Sequence, residues 1–261
     1  MKYQGIFASL FRCAFFWAFT GLMAYCEIAI EYTGENNVYE YEILYGDKET
    51  ELNARVNIKS IGDKRVLSIN DMRVRDNLIS NNCNKQEINR ILPIIVNFTV
   101  NSTGKISNNN INDAMALAHE KFSKPEDRVI IDGCIVPLLA GIFQFVVPET
   151  RQEKNGIKLI SREWVKMNVN NDFEFLDDNQ MGLLAAKSEN DVLVLTGSCE
   201  NKKKHGTEGK MTYTTEITSI RMMYDAKRNV FTNGQCVTNT IIKSSDRLIE
   251  NTIRFIYEIK R

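Results

Sequence analysis

Apolar side chains recur at every second position over most of this chain, the signature of half-buried β-strands. Near the start, Tyr39, Tyr41, Ile43 and Tyr45 alternate with Glu40 and Glu42. After the turn Gly46-Asp47-Lys48, Leu52, Ala54, Val56 and Ile58 alternate with Glu51, Asn53, Arg55, Asn57 and Lys59, and Gly62-Asp63-Lys64 turns the chain into a third strand over 66–74. The end of the chain is built alike. Met211, Tyr213, Thr215 and Ile217 alternate with threonine and glutamate, and a polar loop at 225–229 leads into a strand over 230–242. The last strand carries Ile253, Phe255, Tyr257 and Ile259 on one face. Two antiparallel meanders are therefore predicted, at opposite ends of one sheet, each with an apolar face that needs cover.

The middle supplies that cover. A short helix is expected over 84–92, then a strand with Ile94, Val96, Phe98 and Val100 on one face. An amphipathic helix follows over 112–122, with Ala114, Met115, Leu117, Ala118 and Phe122 as its apolar positions, and Pro125-Glu126-Asp127 opens another. From Cys134 to Val147 the chain is almost wholly apolar. A bilayer needs about 20 such residues; this run is shorter, holds Pro137 and Gln144, and ends at Pro148. It reads as a buried helix, and one apolar all round must be enclosed. Strands are expected again over 157–169, 181–187 and 192–199, and the segment 200–209, with Lys202-Lys203-Lys204-His205, reads as a solvated hairpin loop. The predicted fold class is α+β, mostly antiparallel β: a curved sheet or half-barrel covered by two or three helices from the middle of the chain.

The first 26 residues belong to a different pattern. Lys2 precedes an apolar stretch whose densest part, Cys13 to Ala24, has the length of a secretory leader core, and Ala24 and Cys26 are the small residues expected before a cleavage point. Tyr25 stands where a lipid-attachment motif needs a small residue. The expected organisation is a signal peptide at 1–26 and one β-rich domain at 27–261 with a helical insertion at about 110–147, secreted or periplasmic, with no transmembrane span after cleavage. Cys83, Cys134, Cys199 and Cys236 then remain, an even number that suggests two disulfides in an exported protein, with three possible pairings. If the strands 192–199, 211–223 and 230–242 form a simple meander, Cys199 and Cys236 are offset by some eight residues, roughly 26 Å, against a bridging limit of roughly 7 Å between Cα atoms. That pairing is disfavoured.

Charge and motif content narrow the function by exclusion. The formal net charge is zero, so there is no bulk electrostatic pull toward nucleic acid or anionic lipid. The only histidines are His119 and His205, and no cysteine or second histidine stands at metal-ligand spacing from the former. No nucleophile is paired with a base in the sequence and no glycine-rich phosphate loop occurs. The expectation is a non-catalytic protein without catalytic residues, metal or cofactor. Asn97-Phe98-Thr99 and Asn101-Ser102-Thr103 are glycosylation sequons, so Asn97 and Asn101 are candidate acceptors in a eukaryotic setting.

Three features in order resemble an uncharacterised group of secreted bacterial β-rich domains. They are the opening Tyr39-Glu40-Tyr41 strand; the apolar stretch with Phe143, Pro148-Glu149, then Gly156 and Trp164; and Gly209-Lys210 followed by Tyr224-Asp225. The shape expected for such a chain, a curved sheet holding helices in its concave face, is similar to that of bacterial envelope lipoprotein carriers. A second likeness is to the β-barrel opening of the large lipid-transfer proteins of egg yolk, whose long helical arch this chain lacks. The carrier resemblance implies an apolar ligand held between sheet and helices. Two functions follow as expectations. The first is an exported non-catalytic binding or carrier protein for a lipid or other apolar ligand, with Tyr39, Tyr41, Phe143, Phe145, Phe255 and Tyr257 as candidate lining residues; the same residues can equally make a solid core. The second is a structural or interaction module of an envelope or cell surface, working through sheet edges or an exposed patch.

Overall fold

The computed structural model describes residues 30–32, 36–47, 50–76, 90–121, 131–153, 156–160, 174–175, 183–189, 191–207, 210–244 and 247–260. The expected leader at 1–26, most of the short helix at 84–92, Phe122 with the helix opened by Pro125, Cys83, and 161–169 lie outside them.

The strands in chain order are β1 (Val38–Gly46), β2 (Thr50–Ile61), β3 (Lys64–Asp76), β4 (Ile94–Val100), β5 (Ile106–Ser107), β6 (Glu149–Glu153), β7 (Gly156–Ile160), β8 (Glu174–Phe175), β9 (Leu183–Glu189), β10 (Val192–Thr207), β11 (Lys210–Asp225), β12 (Val230–Lys243) and β13 (Leu248–Lys260). They pair in the order β5-β4-β3-β2-β1-β13-β12-β11-β10-β9-β7-β6, with β8 set against β10. Every pair is antiparallel. The two meanders are thus not the two ends of the sheet. The first and last strands pair directly, from Glu40↔Lys260 to Gly46↔Arg254, so the meanders lie side by side in the middle and the ends come from the central part of the chain.

Those ends come back together. The loop after β4 touches the start of β6: the Thr150 N–H donates to the Thr103 carbonyl at 2.9 Å. Residues 30–32 lie over this seam. The Tyr32 N–H donates to the Ser102 carbonyl at 3.3 Å and its hydroxyl to the Pro148 carbonyl at 2.6 Å. Gly104, at φ +84°, is required here, because a Cβ would run into the Pro148 carbonyl and the Tyr32 ring. The result is a nearly closed, barrel-like sheet stitched at one seam by a few hydrogen bonds instead of a full ladder.

The alternation of the strands sets which side is which. On β2, Leu52, Ala54, Val56 and Ile58 are buried while Asn53, Arg55 and Lys59 face out. A barrel that met lipid along its outer wall would have the opposite arrangement. Among the described residues no helix is long and apolar enough to cross a membrane.

Two helical segments accompany the sheet. Helix α1 (Ile111–Glu120) lies beside β4 and buries only Ala114 and Ala118; Leu117 is 60% exposed, contrary to its expected place on the apolar face. Helix α2 (Val136–Gly141) continues at both ends into π-helical turns, Ile131–Ile135 and Ile142–Val146. Isoleucine and valine are mediocre helix formers, so enclosure has to hold this segment helical. It touches the sheet at widely separated strands. Phe143 meets Phe98 of β4, Phe145 meets Phe255 of β13, and the Gln144 side chain donates to the Ile160 carbonyl of β7 at 3.4 Å. A segment that reaches strands near both ends and the middle of one sheet lies inside the ring. The expected cover over a concave face is thus a plug within a barrel.

The segment 200–209, expected as a loop, is strand through Thr207, so β10 and β11 form one long hairpin. This changes the cysteine geometry. Cys199 pairs with Thr218 and Cys236 with Ile220, an offset of two residues on β11 instead of eight. The two cysteines are still two strands apart, roughly 10 Å, which exceeds the bridging limit. Cys134 and Cys236 are buried thiols, so neither contributes to the disulfides expected from the even count. The Cys199 side chain lies outside the described residues.

Candidate functional site

The six residues nominated as ligand-lining fall mainly in one aromatic chain. Phe98 and Phe143 meet edge to face, centroids 5.0 Å apart at 81°. Phe145 packs on Phe255 at 5.5 Å, Phe255 on Tyr257 at 6.1 Å, and Tyr257 on Tyr41 at 6.2 Å. Two glycines make room for these rings: a Cβ on Gly141 would overlap Phe255, and one on Gly234 would overlap Tyr257. Phe143, Phe145, Phe255, Tyr257 and Tyr41 are all buried. They pack on one another and on the plug.

Burial raises the pKa of Tyr41, with Tyr39 adding to it, and raises that of Tyr257, with Tyr41 and Tyr32 adding. Both phenols are therefore neutral in the folded protein. The Tyr257 hydroxyl is buried with no hydrogen-bond partner among the described residues. Tyr257→Phe removes that uncompensated group and keeps the ring, so it is expected to raise stability by about 1–2 kcal/mol. Urea unfolding followed by circular dichroism reads this as a higher midpoint; a lower one would mean the hydroxyl is satisfied.

Tyr39 and Tyr41 also line a small cavity at the barrel mouth, together with Tyr32, Arg65, Val147 and Phe231. Its volume is about 30 Å³, room for roughly two waters. Arg65 is 5% exposed, donates through Nη1 to the Gly62 carbonyl at 2.6 Å and the Lys64 carbonyl at 3.0 Å, and has its pKa lowered, chiefly by burial. Tyr224 ties this end to residues 30–32: its hydroxyl accepts from the Glu31 N–H at 3.1 Å and donates to the Glu31 carbonyl at 2.9 Å. Burial pushes its pKa up to about 12, against the opposing pull of the hydrogen bond to the Glu31 backbone.

The seam forms a larger hollow of about 460 Å³, within the roughly 300–1,000 Å³ usual for small-molecule sites. Ile30, Ile157 and Ile160 give it an apolar floor, joined by the buried Thr150. Its rim is polar: Glu31, Ser102, Thr103, Glu149, Arg151 and Gln152. Geometry suited to an amphipathic guest is therefore present, an apolar base beside a cation, an amide and hydroxyls. Sequence patterning did not single out these residues. The site is assembled from 30–31, 102–103 and 149–160, and only the return of β6 toward the β4–β5 loop unites them.

The remaining candidates are also placed. Asn97 points outward on β4 and is exposed, and Thr99 Oγ1 donates to the Ser107 carbonyl at 2.8 Å. The Asn101 side-chain oxygen accepts from the Thr103 N–H, the Thr103 hydroxyl and the Lys105 N–H, at 3.1, 2.9 and 2.8 Å, and so shapes the loop at the seam. Among the described residues no cluster of three or more His, Cys, Asp or Glu could hold a metal.

No protein-family model matches the chain, and no curated protein matches it in sequence. A solved structure describing lipid–protein interactions in lipovitellin is similar at 12% identity and a TM-score of 0.44, covering 87% of this chain and 26% of that one. A crystal structure of a receptor binding domain is matched at 10% identity and a TM-score of 0.10, over 86% of this chain and 77% of that one. This chain spans about a quarter of the lipovitellin chain. Scores this low assign neither a family nor a function.

Proposed function

We propose that this protein is a non-catalytic binding module for an amphipathic molecule, a lipid or a small apolar ligand with a polar head, held at the barrel seam and not inside the barrel. The seam hollow of about 460 Å³ with its isoleucine floor carries this reading. The filled interior supports the location, because the space an internal ligand would occupy is taken by Phe143, Phe145, Phe255 and their neighbours. The apolar part of the guest rests on Ile30, Ile157 and Ile160, and its head reaches Arg151, Gln152 or the Ser102 and Thr103 loop. Export belongs to the same reading, on the leader-like pattern of residues 1–26.

Native mass spectrometry of the protein incubated with palmitate tests it. One bound palmitate per chain is expected. Ile160→Ser combined with Arg151→Ala should weaken binding roughly tenfold or more, the loss of most of one buried aliphatic side chain and a charge-assisted contact. Phe145→Leu, in the plug, should leave it unchanged. Failure to bind, or binding insensitive to the seam substitutions, would refute the assignment.

A further inference from the structure

The seam is stitched along only part of the β6 edge. β6 ends the sheet, so one of its sides has no neighbouring strand. The Thr150 N–H donates across that side to the Thr103 carbonyl, away from β7. Thr150↔Leu159 is thus a pair without hydrogen bonds between the two strands, and by alternation so is Gln152↔Ile157. The ladder to β7 runs through Glu149, Arg151 and Glu153 instead. Three backbone groups then face the seam with no hydrogen-bond partner among the described residues: the Thr150 carbonyl and both the N–H and the carbonyl of Gln152.

These groups border the hollow. Thr150 and Gln152 line it together with Ile30, Ile157 and Ile160. Two of the three groups are acceptors, and an ionised carboxylate has no hydrogen to give them. An amide has one, and it carries a carbonyl as well. A residue of an extended guest opposite Gln152 can give its N–H to the Gln152 carbonyl and accept the Gln152 N–H, as in a hydrogen-bonded antiparallel pair. The Thr150 carbonyl lies two residues along the strand, roughly 7 Å away, within reach of a second N–H on a longer guest. An unpaired strand edge is a template for such pairing. Of the charged groups on the rim, Glu31 and Glu149 repel a carboxylate and Arg151 attracts one. A guest with a neutral amide at Gln152 and its carboxylate beyond can put that charge by Arg151.

We infer that the seam takes an acylated amino acid or short acyl-peptide, its amide paired with the open edge of β6 at Gln152 and its acyl chain on Ile30, Ile157 and Ile160. This inference rests on the proposed binding at the seam and narrows the guest to one class of head. The backbone of Gln152, not its side chain, does the recognising. Any acyl-amide of the right reach is accepted, whatever its side chains, because main-chain groups supply the contact.

Calorimetric titration of the full chain with palmitate, N-palmitoylglycine and N-palmitoylsarcosine tests it. The sarcosine conjugate differs from the glycine one only by a methyl group in place of the amide hydrogen. N-palmitoylglycine is expected to bind about tenfold more tightly than either of the others, the effect of one or two added hydrogen bonds. Gln152→Pro removes the seam-facing N–H and puts a ring where the guest would lie. It breaks no bond to β7, so an edge strand should tolerate it and the variant should melt like the parent. Most of the preference for N-palmitoylglycine over N-palmitoylsarcosine should disappear in it. The comparison of the three ligands on the parent protein decides the matter even if that variant does not fold. Equal affinity for the two conjugates, with palmitate still bound, overturns the inference and leaves seam binding standing. So does a preference that a folded Gln152→Pro variant retains in full. Binding of none of the three overturns both.

Discussion

Phe143→Ala is expected to cost about 3–5 kcal/mol, the usual toll for removing a fully enclosed aromatic ring and a large part of a typical folding margin of about 5–15 kcal/mol. Phe143 is 0% exposed and meets the Phe98 ring edge-on at 5.0 Å. It joins the plug to β4, next to the end of the sheet, and the ring around it is held by backbone ladders. Such a site cannot collapse to fill the space, so the loss should lie toward the upper end of the range. Urea denaturation followed by circular dichroism measures it. A change under about 1 kcal/mol would mean that the plug packs loosely against β4.

Gly141→Leu tests the other side of the plug. A side chain there meets the Phe255 ring, and Phe255 is itself held between Phe145 and Tyr257. Overpacking of this kind costs about 1–3 kcal/mol and sometimes more. Leaving glycine returns about 1 kcal/mol of helix propensity, so a net loss of roughly 1 kcal/mol is expected, reaching about 2 kcal/mol where the Phe255 ring cannot give way. Adding Phe255→Ala opens the space the leucine needs. The double variant should therefore be more stable than the two single losses summed, by roughly 0.5–3 kcal/mol, as contacting residues couple. Strict additivity would contradict the close approach of plug and β13.

The sequence carried the strands with inward faces, because alternation survives wherever one side is buried. Leu52 to Ile58 and Ile94 to Val100 fall in strands over close to the expected ranges. The plug was legible from its length, Pro137 and Gln144. The pairing of β1 with β13 was not, since nothing local in Tyr39–Tyr45 or Ile253–Ile259 names its neighbour. The misreading of 200–209 has a specific cause. The run is polar and shows no alternation, so it looks like a loop, although its ladder to β11 makes it a strand through Thr207. The cysteine register went astray with it. On α1, Leu117 has helical spacing but lies on the face that β4 does not reach, while the small Ala114 and Ala118 make the close contact. The seam residues carry no short-range signal at all, because the hollow exists only once the two ends of the sheet meet.

On the proposed function, that meeting around an interior already filled places the ligand outside the barrel. Photolabelling with a diazirine-bearing palmitate, with the adducts located by peptide mass spectrometry, tests it most directly. Adducts are expected on 149–160 and on the segment around Ile30, the floor and rim of the seam hollow. Adducts on Phe143, Phe145, Phe255 or Tyr257 would show that the plug yields to a ligand inside the barrel, and would contradict the account.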